Sequence, residues 1–166
     1  MDPFKRRKPI IGDRFQGGII AYLFQKGDNG FIIGEFHGLI VAPEDQSAGI
    51  PWNNGEYKKT VATGTSIGSG STNTKEIISC QGPGNYAAKL CADLSLDGYD
   101  DWFLPSKFEL NQLYINQDAI GNLSHKYYWS STQFGYNTAC NQHLGDGSQG
   151  SDYRSRNLFV RAVRTF

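Results

Sequence analysis

The chain has 166 residues, with 16 Lys plus Arg against 16 Asp plus Glu, so its formal net charge is zero. That length suits one domain able to bury a core without staples, and the charge balance removes any general attraction to nucleic acid or to an acidic partner. Glycine is abundant at 20 residues while Lys and Glu are scarce, which excludes a helix bundle and points to strands and loops.

No stretch has the apolar length of a membrane span, and no secretory signal is visible, so neither membrane insertion nor ordinary export is expected. The one basic run, Lys5-Arg6-Arg7-Lys8, sits between Pro3 and Pro9 and reads as a solvated tail. Residues 1–11 are therefore assigned as a flexible basic segment ahead of a domain spanning 12–166. Cys80, Cys91 and Cys140 are too few and too irregularly spaced for a disulfide framework or a zinc site. A single Cys80–Cys91 bridge is compatible with them, but the place of Cys91 on an apolar helix face favours a buried free thiol.

Residues 12–25 read as a first strand, with Phe15, Ile19, Ile20, Tyr22, Leu23 and Phe24 supplying β-branched and aromatic bulk. Gly27-Asp28-Asn29-Gly30 is a turn signal, so residues 31–42 are expected to return antiparallel as a hairpin. His37 in that return strand has no second ligand at metal spacing and is read as a satisfied sheet residue. Residues 43–72 lose periodicity and form a long loop region in which Pro51-Trp52 looks like a pin. Residues 64–70 are Gly-rich but lack the Lys of a phosphate-binding loop. Asn73 and Glu76 offer an N-cap and its partner for a helix over about 74–80. Ala87, Leu90, Cys91 and Leu94 mark the buried face of a second helix, about 85–94.

The most over-determined stretch is Gly98-Tyr99-Asp100-Asp101-Trp102-Phe103-Leu104-Pro105-Ser106 with the Lys107-Phe108-Glu109-Leu110 that follows. Asp97-Gly98 turns the chain, Pro105 keeps Leu104 extended, and Ser106 with Glu109 forms a capping box, so a helix starts at about Lys107 and reaches about Ala119. Trp102, Phe103 and Leu104 enter the core beneath it. Tyr127 to Thr132 is an aromatic strand, His125 lies in the connector before it, and residues 157–166 form a terminal strand flanked by Arg161 and Arg164. The class is α+β, with the first and last strands paired antiparallel.

Residues 134–159 have an unusual alphabet, rich in Asn, Gly, Ser, Asp, Tyr and Arg. Cys140, Gln142 and Leu144 alternate with Asn141 and His143, so one strand runs through the segment with one face inward. Phe134, Tyr136, Asn137, Asn141, His143, Asp146, Ser148, Ser151, Asp152, Tyr153, Arg154, Ser155, Arg156 and Asn157 are the candidate ligand-binding residues. Tyr gives rigid contact area at low entropy cost, and the small polar groups give adaptable hydrogen bonds. The competing reading is a merely polar surface loop. Apart from Gln142 and Gln149, every residue of the segment is reachable from an asparagine codon by replacing its adenines, and Lys, Glu, Met and Trp are missing. Adenine-directed mutagenesis of a codon tract leaves this pattern.

The 98–114 stretch, Tyr128-Trp129-Ser130-Ser131-Thr132 and Val160-Arg161-Ala162-Val163-Arg164 together strongly resemble the DUF1566 family, that of the C-terminal domain of the Legionella collagen-like adhesin. Gly12-Asp13, Gly17-Gly18-Ile19, Ala42-Pro43 with Asp45-Gln46, and Ala87-Ala88-Lys89-Leu90-Cys91 extend the likeness over nearly the whole chain. The resemblance implies a C-type lectin-like fold. Residues 134–159 also resemble the variable region of diversity-generating retroelement target proteins, many of them phage receptor-binding or surface-displayed. By that resemblance Ala139, Gln142, Gly147 and Gln149 are framework, and Cys140 departs from the usual aromatic.

The function expected is a non-enzymatic receptor-binding module of phage or adhesin type, meeting a protein or glycan on a cell surface from a virion or extracellular location. The resemblance and the need for avidity favour a homotrimer. No cofactor, metal, catalytic residue or nucleic-acid partner is expected. An enzyme of the formylglycine-generating type, similar at the Trp-Phe-Leu-Pro-Ser motif, needs redox or copper-binding cysteines in the C-terminal half, where only Cys140 lies. A calcium-dependent lectin needs Glu-Pro-Asn or Gln-Pro-Asp with Trp-Asn-Asp, none of which occurs, and Asp97, Asp100 and Asp101 read as turn residues. A glycosaminoglycan-binding lectin is the other alternative.

Overall fold

The computed structural model describes residues 8–166, so the expectation for the basic segment falls mostly outside the described residues. In chain order the elements are β1 (Arg14–Phe15), β2 (Gly18–Leu23), β3 (Gly38–Val41), β4 (Ser47–Ile50), α1 (Gly70–Gln81), α2 (Ala87–Ala92), α3 (Lys107–Ile115), α4 (Gln117–Ile120), β5 (Tyr127–Gln133), β6 (Thr138–His143), β7 (Gln149–Tyr153), β8 (Leu158–Val160) and β9 (Val163–Thr165). Two sheets form, one in the order β1-β2-β3-β9 and one in the order β4-β8-β5-β6-β7. The protein is α+β, as the helix and strand signals along its sequence predict. All ladders are antiparallel except β5–β8, where Tyr128 pairs with Phe159 in parallel.

Three strand expectations are corrected. The first strand splits into β1 and β2 at Gln16-Gly17, both at positive φ (47° and 85°). The return strand shrinks to Gly38–Val41, because Phe31, Ile32, Ile33 and Phe36 lie exposed in an irregular loop with Gly30 and Gly34 at positive φ. The last strand pairs with β3, not with the first strand: Leu39 faces Thr165 and Val41 faces Val163, while both edges of β2 are taken by β1 and β3. The terminal segment is also two strands in two sheets. It crosses at Arg161-Ala162, where Ala42 N donates to Ala162 O (2.9 Å) and Ala162 N donates to Gln46 Oε1 (2.5 Å).

Arg161 and Arg164 are buried at that crossing instead of flanking it. Arg161 Nε donates to Asp45 Oδ1 (2.8 Å) and Nη1 to Ala42 O (2.9 Å), and its Nη2 donates to Asn122 O. Tyr128 OH donates to the same carboxylate oxygen (2.8 Å). Arg164 grips Asp101 through both Nε and Nη2 (2.5 and 3.0 Å), so Asp101 is an ion-pair partner and not only a turn residue. The Asp45-Gln46 and Val-Arg-Ala-Val-Arg motifs, far apart in sequence, are two halves of one joint.

Trp102, Phe103 and Leu104 stand in extended backbone, so successive side chains point opposite ways. Trp102 and Leu104 enter a core with Trp52, Ile77, Ala87, Cys91 and Trp129, whereas Phe103 enters a second core with Leu39, Val41, Leu110 and Leu113. The backbone of Phe103 pairs with Val163 (2.8 and 3.0 Å), and Pro105 O accepts from Ser131 N (2.7 Å), so the segment lies between the sheets. Helix α3 starts at Lys107 with the expected capping box but ends at Ile115, and α4 continues as a separate turn.

The same Glu109 serves a second helix. Its carboxylate accepts from Ser106 N (2.7 Å) and Gly68 N (2.8 Å), and Gly70 N also reaches it. Helix α1 therefore begins at Gly70, not at Thr74, and Asn73 is not its cap. Buried in the first turn, Asn73 instead donates to Gly64 O (2.7 Å) and Ser131 Oγ (3.2 Å). Burial pushes the Glu109 carboxyl up while the backbone N–H groups hold it down. With a carboxylate seated against the Gly-rich turn, a phosphate has no place there.

Trp52 is fully buried, and its Nε1 donates to Ser130 O (2.8 Å), so the long loop is pinned as expected. Cys80, Cys91 and Cys140 are all free thiols. His37 touches Phe166 O and Glu35 (3.0 Å each) just ahead of β3.

Candidate binding face

Strands β6 and β7 form a hairpin whose register places Thr138 opposite Tyr153, Cys140 opposite Ser151 and Gln142 opposite Gln149. Opposed residues share a face. The face carrying Cys140 and Gln142 turns toward α3, where Gln142 Nε2 donates to Asn111 Oδ1 (2.8 Å) and Gly147 O (3.1 Å). The other face carries Ala139 into the Trp52–Trp129 core. Gly147 is at φ 78°, and a Cβ there would run into the Tyr114 ring, so that position is set by packing. Ala139 and Gln142 are buried, whereas Gln149 is exposed.

The expected inward and outward alternation along β6 fails, because residues 139–142 are all buried. Among the candidate binding residues, Phe134 (73% exposed), Tyr136 (65%) and Tyr153 (57%) are the large exposed groups. Asn137, Asp146, Ser148, Ser151, Ser155, Arg156 and Asn157 are exposed, and His143 and Asp152 are half-buried. Two candidates are corrected. Asn141 is buried between β5 and β7, with its Nδ2 against Asp152 Oδ2 (3.5 Å). Arg154 is wholly buried and offers no contact surface.

Arg154 acts as a rivet. Its Nη1 donates to Lys58 O (2.9 Å) and its Nη2 to Tyr136 O (2.5 Å), while its guanidinium lies 5.2 Å from the Trp52 ring and 5.4 Å from the Tyr57 ring. Its backbone closes the joint: Trp52 N donates to Arg154 O and Arg154 N to Asn137 O, both at 2.9 Å. Burial pushes its pKa down, and no carboxylate among the described residues pairs with it. Cation–π contact and two carbonyls are its compensation. The arrangement brings in Tyr57, which the sequence showed only as an isolated loop aromatic. Its hydroxyl donates to Ser155 Oγ (3.0 Å), so residues 53–58 adjoin the segment. The length of the 43–72 loop was the only signal for it.

The candidates therefore fall into two groups at opposite ends of the hairpin, about 17 Å apart for a five-residue strand. One holds Tyr136, Asn137, Tyr153, Ser155 and the added Tyr57. The other is the turn end, where Asp146 Oδ1 accepts from Ser148 N (2.9 Å) and Ser148 Oγ (2.7 Å), with His143 Nδ1 at 3.2 Å. Those bonds, with the nearby imidazole, hold the Asp146 carboxyl below its ordinary range. The His143 ring packs edge-on to Tyr127 at 4.8 Å. Charges on the face pair off, Arg156 with Asp152 (3.8 Å) and Lys58 with Glu56 (3.1 Å). Among the described residues no group of three His, Cys, Asp or Glu is placed to hold a metal ion.

Fold and face together define an α+β domain in which a rigid two-sheet framework displays a polar and aromatic hairpin. The family of the Lcl C-terminal domain matches residues 42–164, from the Ala42-Pro43 that opens the Asp45 joint to the Arg164 that closes it, and the chain belongs to that family. No curated protein matches the chain.

Proposed function

We propose that the protein is a non-enzymatic binding module of the surface-displayed adhesin or phage receptor-binding type, on a C-type lectin-like scaffold, whose contacts lie in residues 134–157. The observation that carries this reading is the sorting of one segment by burial. Its framework positions Ala139 and Gln142 are locked, while Phe134, Tyr136 and Tyr153 stand out in solvent with no packing role that requires aromatics. Membership of the Lcl C-terminal domain family supports an adhesin-like role. The adenine-replaceable coding alphabet supports diversification of the segment, and a virion or cell-surface location follows from that role. The face bears few unpaired charges, which favours a protein receptor over a polyanion, and trimerisation gives small patches avidity.

The test replaces Tyr136, Asp152, Tyr153 and Arg156 with Ser, keeping Arg154. Surface changes of this kind cost less than about 0.5 kcal/mol each, so the melting temperature stays within a few degrees. Attachment to an array of purified surface proteins and glycans is expected to disappear. Unchanged attachment by the folded variant rejects the reading. Light scattering tests the trimer, and a monomeric mass at micromolar concentration removes it.

A further inference from the structure

Among the described residues, strand β7 is the end of its sheet, with β6 as its one neighbour. The ladder parity is fixed at both ends of the hairpin, where His143 N donates to Ser148 O and Arg154 N donates to Asn137 O (2.9 Å each). In an antiparallel pair, residues alternate between those bonded to the partner strand and those whose N–H and C=O point away from it. Counting from either end, Gln149 and Ser151 point their backbone groups outward to the free edge. An edge of this kind is a template for another strand.

Beside that edge lies a cavity of about 240 Å³ lined by Lys107, Phe134, Cys140, Gln149, Gly150 and Ser151. Lys107, the first residue of α3, is half-buried and has no ion-pair partner among the described residues. Its charge is felt at the cavity floor: burial pushes the Cys140 thiol up, and Lys107 pulls it down. Ser151 faces the same way as Cys140 because the two are opposed in register. The side chain of any strand residue paired with Ser151 on the outer edge falls on that face too, over the cavity.

We propose that the free edge of β7 takes an extended peptide segment of a protein partner as a sixth strand, and that the partner residue opposite Ser151 is Asp or Glu, its carboxylate meeting Lys107. The backbone edge supplies affinity, and Lys107, the one cation lining a cavity that Phe134 also lines, supplies the choice of side chain. One ammonium beside an edge strand suits one carboxylate on a β-strand better than a chain of sulfates, which calls for a row of cations. The inference rests on residues 134–157 being the binding face and names the chemistry of its partner.

The test pans a phage-displayed random octapeptide library on the whole chain and measures a selected peptide by fluorescence anisotropy. Selected sequences are expected to alternate apolar or β-branched residues with one fixed Asp or Glu. Changing that acid to its amide is expected to weaken binding about tenfold, as the loss of one charge-assisted hydrogen bond does. In Lys107→Met, the acid and amide peptides should bind equally. Ser151→Pro removes the outward N–H without touching the ladder to β6 and should abolish binding of both, with the far-ultraviolet circular dichroism unchanged. An acid preference that survives Lys107→Met, peptide binding that survives Ser151→Pro, or selected peptides with no fixed acid each overturns the proposal. So does N-acetylneuraminic acid shifting the Ser151 and Lys107 amide resonances when the peptide does not, which makes the cavity a sugar subsite. Receptor attachment by the four-serine variant is scored separately. If that variant attaches normally while the peptide results hold, the assignment of the face fails and the β7 edge stands.

Discussion

Arg154 and Arg161 are both fully buried, yet one belongs to the candidate face and the other to the framework, and they are held differently. Arg161 has the Asp45 carboxylate, itself braced by Tyr128, so its charge is neutralised by a fixed partner. Among the described residues Arg154 has no carboxylate, and its partners are the carbonyls of Lys58 and Tyr136 and the faces of Trp52 and Tyr57. A carboxylate partner ties an arginine to one particular residue of the sequence, whereas main-chain carbonyls are present whatever side chains the loops carry. The framework joint is therefore written in residue identities. The joint under the face is written in backbone, and it tolerates replacement of the side chains around it.

The sharpest way to break this contrast is Arg161→Met. It strands a mostly buried carboxylate and should cost about 3 to 5 kcal/mol in urea unfolding, and a loss below 1 would show that Asp45 is already satisfied without it. Arg154→Met strands no charge, only two carbonyls in loops that water can reach. It should cost about 1 to 2 kcal/mol and raise hydrogen exchange across residues 53–58. If the two losses are equal, the distinction between the joints is false.

The smallest effect is in pH. The hydrogen bonds and charge of Arg164 hold the Asp101 carboxyl below its ordinary range, against the partial burial that raises it. A carboxylate with a lowered folded pKa adds stability that is complete above the unfolded value and is lost as pH falls through the folded one. The stability difference between the protein and Asp101→Asn should be constant near neutrality and shrink in the acid range below the ordinary carboxylate value. A difference that grows on acidification contradicts the pairing.

What was legible in the sequence was local. Ser106 with Glu109 announces the start of α3 because cap and partner are three residues apart, and the Trp102 to Leu104 alternation follows from one proline and one turn. The start of α1 was misplaced because the group that satisfies it, Glu109, lies 41 positions from Gly68. The apolar run from Phe31 to Phe36 imitates a strand, and only the positive φ at Gly30 and Gly34 reveals a loop. Of the candidate face, the exposed aromatics Phe134, Tyr136 and Tyr153 were readable. Arg154 was not, since nothing in the sequence separates it from Arg156, and the carbonyls that hold it have no signature in side chains. Tyr57 was hidden for the same reason: its place beside Ser155 is made by the Trp52 pin and Arg154, both tertiary.

The carboxylate shared by α1 and α3 bears on the order in which the protein assembles. The capping box alone would let α3 nucleate early, but the Oε1 of Glu109 has its partner only once Gly68 has arrived, and that arrival closes a long loop. Entropy is spent before either helix start is complete, as in any topology dominated by non-local contacts. The two first turns should consequently form and open as one cooperative unit, with the amides of Gly70 and Ser106, both held by that carboxylate, sharing a single opening free energy although they start different helices.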